Sequence, residues 1–218
     1  MTRALQLFCL LFLLSVFAYA QAPEPATITL TFDFPGSQPE HFSMRVQTDG
    51  KASYESRSKL SPDSEDTDSF NYEFAVSPAT LQKIFDLAAK ADYFRKDLDS
   101  HRKKMAFTGK KTLAYKDGQR SGESTFNYSA NPSVQELTNL LQSVSGTLEI
   151  GHRLEYDRRY QKLALDQDLK GLEEQARSSF VIELQAIAPI LQQIIGDASV
   201  INVSRGRAQR ILERAGVR

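Results

Sequence analysis

Alternating apolar and polar residues on both sides of an Asp-Gly pair constrain the fold of this chain more than any other feature. The pattern covers residues 105–129 and centres on Asp117-Gly118. It is typical of two antiparallel strands joined by a tight turn. A two-residue type I′ turn would pair Tyr115 with Arg120. This segment is therefore predicted to be a β-hairpin.

The same register makes a prediction about the rest of the hairpin. Gly109 would pair with Phe126, and Phe107 would pair with Tyr128. A single face of the hairpin would then carry its large apolar side chains, namely Phe107, Leu113, Tyr115, Phe126 and Tyr128.

A second Asp-Gly hairpin lies upstream, in residues 41–56. A two-residue loop would place Val46 opposite Ser53 and mismatch the apolar faces. A three-residue loop ending at Gly50, with Gly50 in a left-handed bulge, pairs Val46 with Ala52 and so keeps the faces matched. Met44 then pairs with Tyr54, and the pattern favours this arrangement.

Two further segments alternate in the same way, Thr27–Phe34 and Phe70–Val76. Ser77-Pro78 is a typical helix start, with an N-cap serine and a proline in the first turn. We therefore predict an α+β domain over residues 27–146. Its antiparallel sheet of five or six strands packs one face against a helix from Ala79 to Phe94.

The rest of the chain shows helical periodicity. Asn131-Pro132 opens a helix that carries Val134 and Leu148, and residues 147–218 are predicted to form a helical subdomain. The similar starts at Ser77-Pro78 and Asn131-Pro132 suggest either an internal duplication or convergent cap chemistry.

Within the predicted subdomain, Asp166 and Ser204 are candidate N-caps, and residues 199–203 are a candidate strand. Pro189 is expected to kink or break an apolar segment. The apolar stripe of that segment is predicted to pack within the chain, with a dimer interface or partner groove as the alternative; it comprises Phe180, Leu184, Ile187, Leu191 and Ile194. Ile211 and Leu212 of the last helix are expected to cover its end.

Residues 1–20 have the features of a secretory signal peptide. A basic residue, Arg3, precedes an apolar run that is shorter than the ~20 residues of a membrane span. Ala18-Tyr19-Ala20 is a small-x-small cleavage site, and residues 21–26 form a linker. The chain is therefore predicted to be exported, to the periplasm or outside the cell, after cleavage near Ala20.

The composition of the mature chain excludes several kinds of site. The only cysteine of the full sequence, Cys9, lies in the signal segment, so the mature chain can form no disulfide and has no thiol for catalysis or metal binding. The 26 basic and 27 acidic residues that remain give a formal charge of −1, so no overall positive charge attracts nucleic acid.

Candidate metal sites are few. Asp63, Glu65, Asp66 and Asp68 lie in an acidic segment over residues 58–69 that is interpreted as a solvated loop, with calcium binding as the alternative. Glu149 and His152 have the i, i+3 spacing of di-metal helix bundles, but the required second copy is missing. They are interpreted as solvated charges on a helix surface, and no cofactor is predicted.

The C-terminus is locally basic. Two interpretations stay open for its arginines: contact with an anionic surface or acidic partner, and compensation of a helix dipole. The second does not explain the two arginines at the helix start. The cluster comprises Arg205, Arg207, Arg210, Arg214 and Arg218.

The core resembles a group of uncharacterised exported bacterial proteins, of the domain-of-unknown-function type, with a hairpin-helix-hairpin arrangement. The resemblance rests on Val46–Tyr54, Leu81–Phe94, and Thr108-Gly109 with Leu113–Gly118. It implies a fold, and it brings no activity or site residues. Residues 188–212 also resemble a single HEAT-like helical hairpin, fewer than the three or so repeats that a solenoid needs.

Two classes of function follow. The first is an exported non-catalytic module that binds a protein or an envelope component through its sheet or its helical tail. The second is a hydrolase whose site is assembled in space, since the sequence contains no Gly-x-Ser-x-Gly and no recognisable nucleophile–base pair. No catalytic, cofactor or metal residues are predicted.

Overall fold

The computed structural model describes residues 24–60, 65–177 and 181–216, and these form the predicted α+β fold. The predicted signal segment lies outside these residues. The sheet consists of β1 (Thr27–Asp33), β2 (His41–Gln47), β3 (Lys51–Lys59), β4 (Thr67–Ala75), β5 (Lys110–Lys116) and β6 (Ser121–Phe126). The helices are α1 (Pro78–Lys90), α2 (Pro132–Tyr160), α3 (Lys162–Arg177), α4 (Ala188–Gly196) and α5 (Asn202–Arg214).

The six strands are all antiparallel, in the order β4-β3-β2-β1-β5-β6. Because side chains alternate along a strand, every strand presents one face to the helices and the other to solvent. The helix-covered face buries Ile28, Leu30, Met44 and Leu113. The open face carries mostly short polar or charged side chains, among them Thr29, Thr31, Arg45, Ser53 and Thr112.

The first Asp-Gly turn has the predicted three-residue form. Val46 pairs with Ala52 and Met44 with Tyr54, and Gly50 has a φ of +87°. This positive φ is easily adopted only by glycine, which explains the residue at this position.

The two-residue register predicted for the second hairpin is wrong. Tyr115 pairs with Gly122, so the loop contains the four residues 117–120, and Gly118 does not take a positive φ. The Asp117 carboxylate accepts the backbone N–H groups of Gln119 (2.8 Å) and Arg120 (2.6 Å), which stabilises the longer loop. The guanidinium of Arg120 lies over the Tyr93 ring, 4.2 Å from its centroid.

The first strand of this hairpin is also shorter than predicted. Strand β5 begins at Lys110, and Phe107 is 55% exposed rather than on the inner face. Residues 91–109 instead run beside β6, where the Leu98 N–H donates to Ser124 Oγ at 2.9 Å. A side chain at Gly122 would collide with the Tyr93 carbonyl oxygen. The β6 edge of the sheet is therefore covered by this segment.

Helix α1 starts where predicted. The Ser77 side chain accepts from the Thr80 N–H, and its hydroxyl donates to the buried Glu183 carboxylate at 2.6 Å. The helix ends at Lys90, and a 3-10 turn over Asp92–Phe94 replaces the last turn of the predicted helix.

Helix α2 begins after the predicted N-cap, Asn131, whose side chain accepts from the Ser133 N–H at 2.9 Å. It continues without a break to Tyr160, and its long apolar face is buried from Val134 to Leu154. The division predicted at residue 146 falls inside this helix, so α2 belongs both to the α+β layer and to the helical tail. The division into two domains stays a prediction.

Three details of the tail differ from the prediction. Asp166 lies inside α3 rather than before it, and residues 199–203 form no strand. Helix α5 starts at Asn202, so Ser204 lies within it, fully buried, and donates to Asp166 Oδ1 at 2.9 Å. Pro189, in contrast, breaks the apolar segment as predicted, because it lies in the first turn of α4, directly after a 3-10 turn over Leu184–Ile187.

The apolar stripe of the tail packs within the chain, as predicted. Ile187, Leu191 and Ile194 are buried in the same apolar cluster as Leu148 and Leu169. Ile211 and Leu212 of α5 are buried in it too, whereas Phe180 lies outside the described residues. Across the described ranges, no helix is both long enough and apolar enough to cross a membrane.

Candidate functional site

Strand β4 forms the open edge of the sheet. It is nine residues long and hydrogen-bonds to β3 alone within the sheet. Val76 donates to Gly50 O at 2.9 Å, and Leu60 donates to Asp66 O at 3.0 Å. Both bonds involve even-numbered residues of this segment. Since hydrogen-bonded and non-bonded pairs alternate along an antiparallel pair of strands, the backbone groups of the even-numbered residues of β4 point toward β3. The backbone N–H and C=O groups of Ser69, Asn71 and Glu73 therefore point outward.

Three aromatic side chains line the helix side of this edge. The rings of Phe70 and Tyr72 are stacked with centroids 5.7 Å apart, and those of Tyr72 and Phe74 with centroids 6.3 Å apart. All three are half-buried. They form an aromatic column along the edge strand, part of which is accessible to solvent.

A narrow groove separates the aromatic column from α2 and α4. Its cavity of about 90 Å³ is lined by Phe70, Tyr72, Ile187 and Ile190, among others. The Tyr72 hydroxyl donates to Ala186 O at 2.7 Å, which fixes the width of the groove. We call this feature, together with strand β4, the β4 groove.

Gly151 allows the helical wall of the β4 groove to form. A Cβ at this position would lie 2.5 Å from Ile187 Cγ2, which is too close for two carbon atoms. The absent side chain lets residues 187–190 approach α2 directly. The sequence shows this glycine inside a helical pattern but not the residue that it meets.

Acidic residues surround the groove. Asp68 and Glu73 belong to β4, Glu65 precedes it, and Glu155 lines the cavity. His152 lines the cavity as well; its ring stacks on Phe70 with centroids 4.2 Å apart, and its Nε2 lies 3.0 Å from Asp68 Oδ2. The groove therefore combines apolar walls with a negative rim.

The interpretation of Glu149 and His152 as solvated charges is wrong. Glu149 Oε1 accepts hydrogen bonds from Tyr54 (2.7 Å) and Ser56 (2.6 Å), under the sheet. Tyr54 Oη also lies 2.8 Å from Ser145 Oγ. Burial raises the pKa of Tyr54, and the Glu149 charge raises it further. This network joins α2 to β3, so its first role is structural.

The described residues contain no group of three or more His, Cys, Asp or Glu side chains placed to hold a metal ion. Of the acidic segment, Asp63 lies outside the described residues and Asp68 contacts His152. The calcium alternative therefore gains no support from the part of the loop that the structure describes.

Two kinds of catalytic arrangement can be looked for among the described side chains. The first is a histidine beside a hydroxyl nucleophile, and the second is a pair of carboxyl groups. The three histidines contact carboxylates, Asp33, Asp97 and Asp68 respectively, and none contacts a serine or threonine hydroxyl. The second candidate is a carboxylate pair between α2 and α3. Burial, together with the nearby Asp168, raises the pKa of Asp157 to about 6.

Two of the C-terminal arginines, Arg207 and Arg210, form ion pairs within the tail, and Arg218 lies outside the described residues. Glu173 is 2% exposed, and Arg210 donates to both of its carboxylate oxygens, whereas Arg207 donates to Oε2 alone. Arg177 donates to Oε1 from the same helix. Hydrogen bonds from Arg210 lower the pKa of Glu173 to about 2. These cations fasten α5 to α3, a role that neither interpretation from the sequence included.

No protein-family model matches the chain, and a search of curated proteins finds no match.

Proposed function

We propose that the protein is an exported, non-catalytic module that binds an extended segment of a partner protein along the β4 groove. The observation that carries this proposal is the nine-residue edge strand whose outward backbone groups have no neighbouring strand in the sheet. An open edge of this length is a template for strand addition, a common mode of peptide recognition.

The contrast between the two edges of the sheet supports the choice of β4. The β6 edge is covered by residues 91–109, as the Leu98–Ser124 hydrogen bond shows. Natural sheets usually cover or interrupt an edge that has no partner. In the described part of the chain, no strand covers the outer edge of β4. The charged side chains of β4, such as Glu73, discourage unspecific strand pairing and also select the charge of what binds.

The side chains beside β4 indicate the chemistry of the partner. Alternate residues of an added strand would lie over the aromatic column, next to Ile190 of α4, and should be apolar. The others would extend over the open face of the sheet, where Glu55 and Glu73 lie between Lys51 and Arg57 of β3. A basic residue placed at the centre of the added strand would meet the two carboxylates and should be favoured there. A second copy of this chain fits less well, because it would bring two acidic rims together.

The test is binding of a ten-residue synthetic peptide that alternates valine and lysine. We expect saturable binding to the mature protein, measured by calorimetry or fluorescence anisotropy. Asn71→Pro should abolish it, because proline removes an outward N–H without removing a bond to β3. Asn71→Thr keeps the N–H and should bind as the wild type does.

Two outcomes would contradict the proposal. One is equal binding of the peptide to Asn71→Pro and Asn71→Thr proteins that melt at similar temperatures. The other is binding of a matched valine–glutamate peptide as tightly as the lysine peptide, since the acidic rim should weaken the glutamate peptide by about tenfold or more.

Export is tested separately. We expect the full chain, expressed in a bacterium with a secretory pathway, to accumulate outside the cytoplasm with Gln21 as its first residue. Intact-mass spectrometry of the periplasmic and cytoplasmic fractions checks this. Uncleaved protein found only in the cytoplasm would contradict the exported part of the proposal alone.

The second candidate, a hydrolase, is favoured by the Asp157–Asp168 pair. A carboxyl group whose pKa is near 6 is suited to general acid–base catalysis. Asp157 is, however, only 4% exposed. A substrate cannot reach a carboxyl group that is buried to this degree, so we prefer the binding module.

A further inference from the structure

Helices α3 and α5 lie side by side and are joined by polar contacts along one line. Near the start of both helices, Ser204 Oγ donates to Asp166 Oδ1. Further along both, Arg210 donates to the two carboxylate oxygens of Glu173. The contacts advance in the same direction along both helices, so α3 and α5 run parallel. We call this line, from Asp166 and Ser204 to Glu173 and Arg210, the α3–α5 seam; it shares no residue with the β4 groove.

Cationic side chains outnumber acidic ones along the α3–α5 seam. On α3, a stripe of charged residues at intervals of three or four runs from Asp166 to Arg177, and on α5 a similar stripe runs from Arg207 to Arg214. Residues at these intervals lie on one face of a helix. The cationic residues along the seam are Lys170, Arg177, Arg207, Arg210 and Arg214, and the acidic ones are Asp166, Glu173 and Glu174.

Burial separates the two signs of charge at the centre of the seam. The Glu173 side chain is only 3% exposed, whereas the side chains of Arg177 and Arg210, which bind it, are 57% and 51% exposed. The carboxylate therefore lies beneath the guanidinium groups. The outer surface of the seam presents mainly positive charge to the solvent.

These cations keep N–H groups that the protein does not use. Arg210 binds Glu173 through Nε and Nη2, and Arg177 binds it through Nη2 alone. A guanidinium group has five N–H donors, so both arginines can bind a further anion. Lys170 and Arg214 are exposed and form no ion pair within the described ranges. The seam can therefore donate to several anionic groups at once.

One end of the seam is apolar and exposed. Leu163, one turn before Asp166, is 91% exposed, and Ile201 and Val203, just before Ser204, are each 57% exposed. The contact between Asp166 and Ser204 places these three aliphatic side chains at the same end of the helix pair. Exposed aliphatic residues that cluster beside charged ones are typical of an interaction surface.

We propose that the α3–α5 seam binds the surface of an anionic phospholipid membrane. Arginine and lysine side chains donate to lipid phosphate oxygens, and a bilayer with net negative charge attracts them. Leu163 and Val203 enter the boundary between headgroups and acyl chains, as the aliphatic residues of interfacial helices do. A soluble polyanion fits less well, because it would use the cations and leave the aliphatic end in water.

The test is sedimentation of the mature protein with vesicles of equimolar phosphatidylglycerol and phosphatidylcholine, beside vesicles of phosphatidylcholine alone. We expect binding to the first kind only, and weaker binding as salt is added, because salt screens the charges. Lys170→Gln and Arg214→Gln should each weaken binding about fivefold, since each removes one cation near the membrane. Leu163→Ala should weaken it by about as much, because less apolar surface is inserted.

Lys116→Gln is the matched control. Lys116 is an exposed lysine of β5, outside the helical tail, so its change should leave vesicle binding unaltered. Thermal melts separate binding from folding: all four positions are exposed, so each variant should melt as the wild type does.

Each of the following results would overturn the proposal. The first is no sedimentation with the phosphatidylglycerol vesicles at low salt, and the second is equal binding to vesicles of phosphatidylcholine alone. The third is binding that neither Lys170→Gln nor Arg214→Gln weakens. The fourth is binding that Leu163→Ala leaves unchanged, since a soluble polyanion would bind in that way.

Discussion

Glu173→Gln is expected to destabilise the protein by about 2–3 kcal/mol at pH 7. Glu173 is 2% exposed and binds Arg177, Arg207 and Arg210. Breaking a fully buried ion pair costs about 3–5 kcal/mol, because the remaining charge is left unpaired. The cost here should be lower, since the side chains of Arg177 and Arg210 are about half exposed and can be hydrated.

The same variant should show a characteristic pH dependence. The pKa of Glu173 is lowered from 4.5 to about 2 in the folded protein. Its ion pairs therefore stabilise the fold fully above pH 4.5, and this contribution disappears as the pH falls through about 2. The stability difference between wild type and Glu173→Gln should be largest at neutral pH and should shrink between pH 4.5 and 2.

Urea denaturation at pH 7, 4.5 and 3 measures this difference. Glu123→Gln is the matched control, because Glu123 is an exposed carboxylate on β6. We expect that control to stay within about 0.5 kcal/mol of the wild type. A deficit for Glu173→Gln that is the same at every pH would show that shape, not charge, holds α5 against α3.

The alternation of apolar and polar side chains predicted the strands well, but it could determine the loop length of only one of the two hairpins. In the upstream hairpin, a change of one residue in register would have reversed the faces, so the match of Val46 with Ala52 was informative. In the downstream hairpin, the observed and predicted registers differ by two residues. Such a shift leaves every side chain on its original face, so the pattern could not distinguish the registers.

The helix starts show where local chemistry is sufficient and where it is not. Ser77 and Asn131 cap their helices through bonds to residues two or three positions away. Ser204 resembles them in sequence, yet its hydroxyl donates to Asp166, 38 residues earlier. That contact depends on the packing of α5 against α3, which no local sequence pattern predicts.

The sequence likewise predicts only those parts of the candidate sites that a local pattern determines. The alternation at Phe70, Tyr72 and Phe74 predicted that these side chains share one face of a strand, and this face forms the aromatic side of the β4 groove. The opposite wall comes from Ile187 and Ile190, more than a hundred residues away, and no local pattern joins the two. The arginine cluster is evident in the sequence, but its partner Glu173 lies 34–37 residues away and has no distinguishing local pattern.

Leu191→Ala is expected to destabilise the protein by about 2–5 kcal/mol without changing its mass in solution. Leu191 is 0% exposed and packs in the common core of α2, α3 and α5. Truncation removes buried apolar area and leaves a cavity that rigid helices fill only in part. Because this burial occurs within a single chain, the loss should appear in thermal and urea melts of the protein at any concentration.

Leu163→Ala provides the matched control for this prediction. Leu163 lies on α3 and is 91% exposed, so its truncation should change stability by less than about 0.5 kcal/mol. Sedimentation of both variants beside the wild type completes the test. If Leu191→Ala instead converted a dimer into a monomer of unchanged melting temperature, the stripe would be an interface, and the helical tail would replace the β4 groove as the main binding surface.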